Sequence, residues 1–125
     1  MGSGTGSGRK KPWEIPSQEY YYHGTTLQAA RQIADSELRP SNRGRAGKGV
    51  YLAYDEDSAQ GWADELRGNT QNVVLRVRGS ALKAKGFSAE NDEEATVQQP
   101  ISAKDIEIRD PQSGNWVPIK KYFRR

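Results

Sequence analysis

Cysteine is absent from all 125 residues, which excludes disulfide scaffolds, thiolate zinc sites, iron–sulfur centres and thiol catalysis. There is a single histidine, His23, so a metal cage built from imidazoles alone is excluded as well. No apolar run approaches the roughly 20 residues needed to cross a bilayer, and no signal-peptide core is visible. The expectation is a soluble, cytoplasmic, monomeric protein with no membrane partner and no metal. At 13.9 kDa the chain has the size of one domain. A domain of this size buries about two-thirds of its unfolded surface and folds without staples.

The net charge of +3 is unevenly spread. Arg9, Lys10 and Lys11 lie near the start, and Lys120, Lys121, Arg124 and Arg125 at the end. The stretch between them holds 12 basic residues against 16 acidic ones. A mildly acidic body with basic tails argues against a nucleic-acid surface, which carries its positive charge as a patch on the fold. Residues 1–8 have the composition of a flexible Gly/Ser linker, either a tag remnant or the junction to a larger parent protein. Residues 1–11 are read as linker and basic tail, and 12–125 as the folded domain.

Residues 19–23 have the aromatic content of a strand that Gly24 breaks. Thr25 opens a Thr-x-x-Gln capping pattern. Leu27, Ala30, Ala34 and Leu38 follow on one helical face, and Pro40 ends the helix. Residues 41–49 read as a glycine-rich loop carrying Arg43, Arg45 and Lys48, followed by a short strand over 50–53. Asp55 or Asp57 caps a second helix with Ala59, Trp62, Ala63 and Leu66 on its apolar face. Strands are expected over 73–77, 94–98, 105–109 and 116–119, the last two joined as a hairpin, with 78–92 irregular. This order reads as α+β with a mainly antiparallel sheet.

Three features could carry chemistry: Tyr22-His23-Gly24-Thr25 at a strand end, Gly47-Lys48-Gly49-Val50-Tyr51-Leu52-Ala53, and Asp92-Glu93-Glu94 heading a later strand. Singly, each has an ordinary explanation as surface, packing or solvated turn. In this order they resemble the His–Tyr–Glu branch of the ADP-ribosyltransferase superfamily, to which poly-ADP-ribose polymerases and diphtheria-like toxins belong. That branch has His-Gly-Ser/Thr, a helix, Gly-Lys-Gly-Ile/Val-Tyr-Phe/Leu-Ala, a second aromatic, then a glutamate heading a strand. Trp62 stands eleven residues after Tyr51, the spacing of the second aromatic. Glu94-Ala95-Thr96-Val97 matches the glutamate strand, and the resemblance spans about residues 20–108.

The resemblance implies an ADP-ribosyltransferase fold, two mainly antiparallel sheets with a few helices around an NAD cleft. It implies NAD as co-substrate and a mono-ADP-ribosyltransferase of toxin-like type. The acceptor would be a protein first, with nucleic acid or a small molecule as other classes. By this resemblance His23 holds ribose hydroxyls, and Gly24 and Thr25 line the nicotinamide site. Tyr51 and Trp62 sandwich the nicotinamide ring. Glu94 stabilises the ribose cation, or Glu93 if the strand begins one residue earlier, since a one-residue slip flips the side chain. Asp92 takes the acceptor-orienting place, where arginine-modifying toxins carry Glu or Gln. The polymerases have a serine where this chain has Ala59, and Ser58 is its neighbour. From charge alone, Arg43, Arg45 or Lys48 could meet the pyrophosphate.

Two other classes remain open. An RNA 2′-phosphotransferase shares the His-Gly-Thr start but needs an extra lobe and a second histidine. A binding module that kept the fold and lost the activity is the other.

Overall fold

The apolar run Val73-Val74-Leu75, buried on both faces, sets the architecture. The computed structural model describes residues 10–44, 47–65, 71–89 and 91–124. Strand β5 (Asn72–Arg78) pairs antiparallel with β1 (Tyr20–Thr26) over seven registers, from Tyr20–Arg78 to Thr26–Asn72. Beyond β5 lie β8 (Ile106–Arg109) and β9 (Trp116–Pro118), the expected hairpin. On the other side of β1 comes β4 (Gly47–Ala53), flanked by β3 (Ser41–Gly44) and β6 (Glu94–Val97). A two-stranded sheet of β2 (Glu37–Leu38) and β7 (Ile101–Ser102) lies apart. The fold is α+β and all its strand pairs are antiparallel.

One join in the seven-stranded sheet differs from the rest. β1 and β4 share a single register, Tyr22–Ala53. It links a four-strand unit (β9-β8-β5-β1) to a three-strand unit (β3-β4-β6), and the two diverge from it.

Helices cover both faces. Helix α2 (Glu56–Asp64) starts where the Asp55 carboxylate accepts from the Ser58 N–H at 2.7 Å, so Asp55 rather than Asp57 is the cap. It presses Ala59 and Ala63 onto the face carrying Gly24, Ala53 and Val74. The opposite face carries the main core of Tyr21, Leu52, Leu75, Val77, Val97, Ile106 and Ile108. Helix α1 (Leu27–Asp35) buries Ala30, Ile33 and Ala34 there.

Several elements depart from the sequence reading. Gly24 does not break β1, which runs on to Thr26. Thr25 stays in the strand, nearly buried, and Thr26 is the cap, accepting from the Ala29 N–H at 3.1 Å. Helix α1 stops at Asp35, five residues before Pro40, where Ser36 leaves helical geometry and its hydroxyl donates to the Gln32 carbonyl. Leu38 is buried through β2, paired with Ile101. The 41–49 loop is instead the β3–β4 hairpin, with Ser41 opposite Gly49 and Gly44 opposite Gly47. Leu66 lies outside the described residues. The 78–92 segment is not wholly irregular: a single 3₁₀ turn, Gly79–Leu82, buries Leu82, and Phe87 packs edge-on against Tyr21. The last strand ends at Pro118, and Ile119 instead opens helix α3 (Ile119–Phe123), fully buried. The basic end is therefore partly structural, and the Arg31 guanidinium stacks over Phe123.

Candidate functional site

The divergence of β1 and β4 opens a cleft of about 780 Å³. Ligand pockets commonly span about 300–1,000 Å³. One wall is β1 with His23, Gly24 and Thr25, continued by α1 through Gln32 and Ile33. The other is β4 with Gly49 and Tyr51, joined by Glu93 and Glu94 at the start of β6. Trp62 and Glu65 line it from the end of α2, as do Ser36 at the end of α1, Glu37 in β2 and Arg39 just after β2.

Register explains which side chains share a face. Tyr51 pairs with Thr96 and Ala53 with Glu94. Side chains alternate along a strand, so Tyr51 and Glu94 stand on one face while Val50, Leu52, Ala95 and Val97 enter the core on the other. Glu93 precedes the strand and lines the cleft from the turn.

His23 is tied across the divergence. Its Nδ1 lies 2.9 Å from the Tyr51 carbonyl oxygen. A carbonyl only accepts, so Nδ1 carries the proton and the neutral ring keeps Nε2 as an acceptor. Burial lowers the pKa of His23 below the ordinary histidine value, outweighing the raising effect of the Tyr51 carbonyl. The neutral, Nδ1-protonated form is the resting state at neutral pH.

Gly24 has a reason other than room for a ligand. A Cβ built there would lie 1.9 Å from the Ala59 carbonyl oxygen and 2.9 Å from the Ala63 nitrogen. The missing side chain seats α2 against β1, and only the backbone of Gly24 borders the cleft. Ala59 is fully buried in that contact.

The structure thus gathers His23, Gly24, Thr25, Tyr51, Trp62, Glu93 and Glu94 around one space. Ser58, Lys48 and Asp92 are not among the lining residues: Ser58 is in the first turn of α2, and Lys48 and Asp92 are exposed. The side chain of Arg43 and the whole of Arg45 lie outside the described residues. Among the described residues, Arg39 is a cation that does border the cleft, and sequence reasoning missed it. It ion-pairs with Glu37 at 3.0 Å, an exposed contact of small energetic weight. Gln32 and Ser36 were missed too. No sequence signal marks them, since the expected helix runs on to Pro40 and the observed one ends at Asp35, before β2. Among the described residues there is no cluster of three metal-ligating side chains, and no helix is long and apolar enough to cross a membrane.

No protein-family model and no curated protein sequence matches the chain.

Proposed function

We propose that this chain is an NAD-consuming mono-ADP-ribosyltransferase whose acceptor is a protein. The observation that carries the reading is the convergence on one cleft of His23, Tyr51, Trp62 and Glu94, four residues singled out by type and order along the chain. The donor set suits the chemistry. Cleaving the nicotinamide–ribose bond leaves positive charge on the ribose, as in glycoside hydrolysis. A carboxylate beside that charge, with water excluded, is the largest single aid a site can give. Glu94 takes that role here, because it shares the cleft face with Tyr51. Nε2 of His23 accepts a ribose hydroxyl. Tyr51 and Trp62 offer aromatic surface to the nicotinamide ring. Arg39 is the cation suited to the diphosphate.

The test is release of free nicotinamide from NAD by purified protein, with and without added protein acceptors. Glu94→Gln should lower turnover by about 10²–10³-fold, the range for removing one charge-stabilising group, with an unchanged melting temperature. Equal turnover in wild type and variant, or none in either, rejects the reading.

A further inference from the structure

Glu94 sits where a turn becomes a strand: it is the first residue of β6, in register with Ala53 of β4, and the residues before it lie outside the ladder. Two side chains hold it. The Tyr54 hydroxyl lies 2.9 Å from the Asn91 carbonyl oxygen and 3.0 Å from the Glu94 carbonyl oxygen, so its one proton is shared between them. The Asn91 side-chain oxygen accepts from the backbone N–H groups of Glu93 and Glu94, both at 2.8 Å. The turn is closed from both sides, its carbonyls by Tyr54 and its amides by Asn91.

Tyr54 is itself anchored. It follows directly on β4, three residues after Tyr51. Its carbonyl accepts from the Gln18 side chain at 2.9 Å, and the same side-chain nitrogen donates to the Tyr20 carbonyl. Its ring meets Tyr21 edge-on at 6.2 Å, within the aromatic cluster of the core. Burial, and then the charges of Tyr21, Asp92 and Glu94, raise its pKa, so the hydroxyl stays protonated and able to donate.

We propose that Tyr54 and Asn91 are positioning residues that lock the start of β6 in register, so that Glu94 and not Glu93 shares the cleft face with Tyr51. A slip of one residue would exchange the two glutamates between faces. The energy at stake in each hydrogen bond is small, but a carboxylate displaced by an ångström loses much of its effect on a developing charge. The lock's consequence for turnover rests on the NAD-cleaving reading above; the lock itself does not.

The experiment uses Tyr54→Phe, Asn91→Ala and Asn91→Asp in the full chain, with two readouts. The first is steady-state nicotinamide release. Tyr54→Phe and Asn91→Ala should each lower kcat about tenfold or more with KM changed by less than about twofold, because the binding surfaces are intact. Asn91→Asp keeps the acceptor oxygen and should recover most of the lost kcat. The second is amide hydrogen exchange at Glu93 and Glu94 followed by NMR, which needs no turnover. Both amides should exchange at least about tenfold faster in Asn91→Ala than in wild type and return toward wild type in Asn91→Asp. Unchanged kcat in the first two variants of an active enzyme, or unchanged exchange in Asn91→Ala, overturns the proposal. If wild type releases no nicotinamide, the NAD reading falls, and the exchange rates alone decide the lock. Should Tyr54→Phe fail to fold, the Asn91 pair carries the test.

Discussion

The two walls of the cleft are built differently. His23 stands in the middle of the longest ladder of the molecule, opposite Leu75, with paired residues on either side. Behind it the sheet continues into β8 and β9, and its outer face is braced by Arg76, stacked over Tyr20 and Trp116 and ion-paired with Glu107 at 2.7 Å. Glu94 stands at the first residue of a four-residue strand, which pairs with β4 on one side and is bridged to Ser88 at Thr96 on the other, and two side chains close the turn before it. One wall places its residue in mid-ladder, the other at a strand's first residue, where side chains add to the backbone pairing. His23 has paired residues on either side along its strand, whereas Glu94 has a ladder on one side of it and a turn on the other.

Substitutions should therefore break the walls in different ways. The largest effect is expected at Gly24. Gly24→Ala drives a Cβ into the Ala59 carbonyl, which α2 can accommodate only by leaving the sheet. Overpacking of this kind should cost about 3 kcal/mol or more, a fall in melting temperature on the order of 10 °C, read by calorimetry. Loss of function without loss of stability in this variant would mean that the glycine serves the ligand and not the helix. Next comes Trp62, half-buried between the α2 contact and the cleft. Trp62→Ala should weaken NAD binding about five- to tenfold and Trp62→Leu about two- to threefold, measured by titration calorimetry. Equal small effects would return Trp62 to packing alone.

The smallest effect sharpens the picture of the mid-ladder wall. The pKa of His23 is lowered in the folded state, so the unfolded chain binds the proton first as pH falls below about 6.5. Stability contributed by the neutral ring is present above that pH and is lost as pH falls toward the folded value. Chemical denaturation from pH 7.5 to 5 should show wild type losing stability more steeply than His23→Gln. Parallel curves would mean that the ring is protonated as readily in the fold as in the unfolded chain.

Much of the α+β order was legible because the central strands are short aromatic or β-branched apolar runs and α2 announces itself through an acidic cap, Asp55 or Asp57, and an apolar face at helical spacing. What was not legible had physical reasons. Leu38 falls at helical spacing from Ala34, and only its partner Ile101 shows that it belongs to a strand. The β3–β4 hairpin is rich in glycine and polar residues; backbone pairing makes it, and no side-chain pattern marks it. Helix α3 hides in a short basic stretch because it is only five residues long, with Ile119 buried and its own Tyr122 and Phe123 packed partly against the core. In the candidate site, His23, Tyr51, Trp62 and Glu94 were picked out through the resemblance that their order along the chain carries, and the cleft is lined by all four. Arg39 was not, since its approach to the cleft depends on where α1 ends. Tyr54 and Asn91 were not, because their contact is made across a closed turn.

The strand β4 touches β3, β6 and, at one register, β1. Its consequence lies in time. The His23–Tyr51 contact joins residues 28 apart, and the Tyr54–Glu94 contact joins residues 40 apart. Such non-local closures are slow steps of folding. Helices α1 and α2 can form early from local contacts, yet neither completes the cleft. Only when β6 docks on β4 does the carboxylate arrive, so a partly folded chain holds the surfaces that grip before it holds the charge.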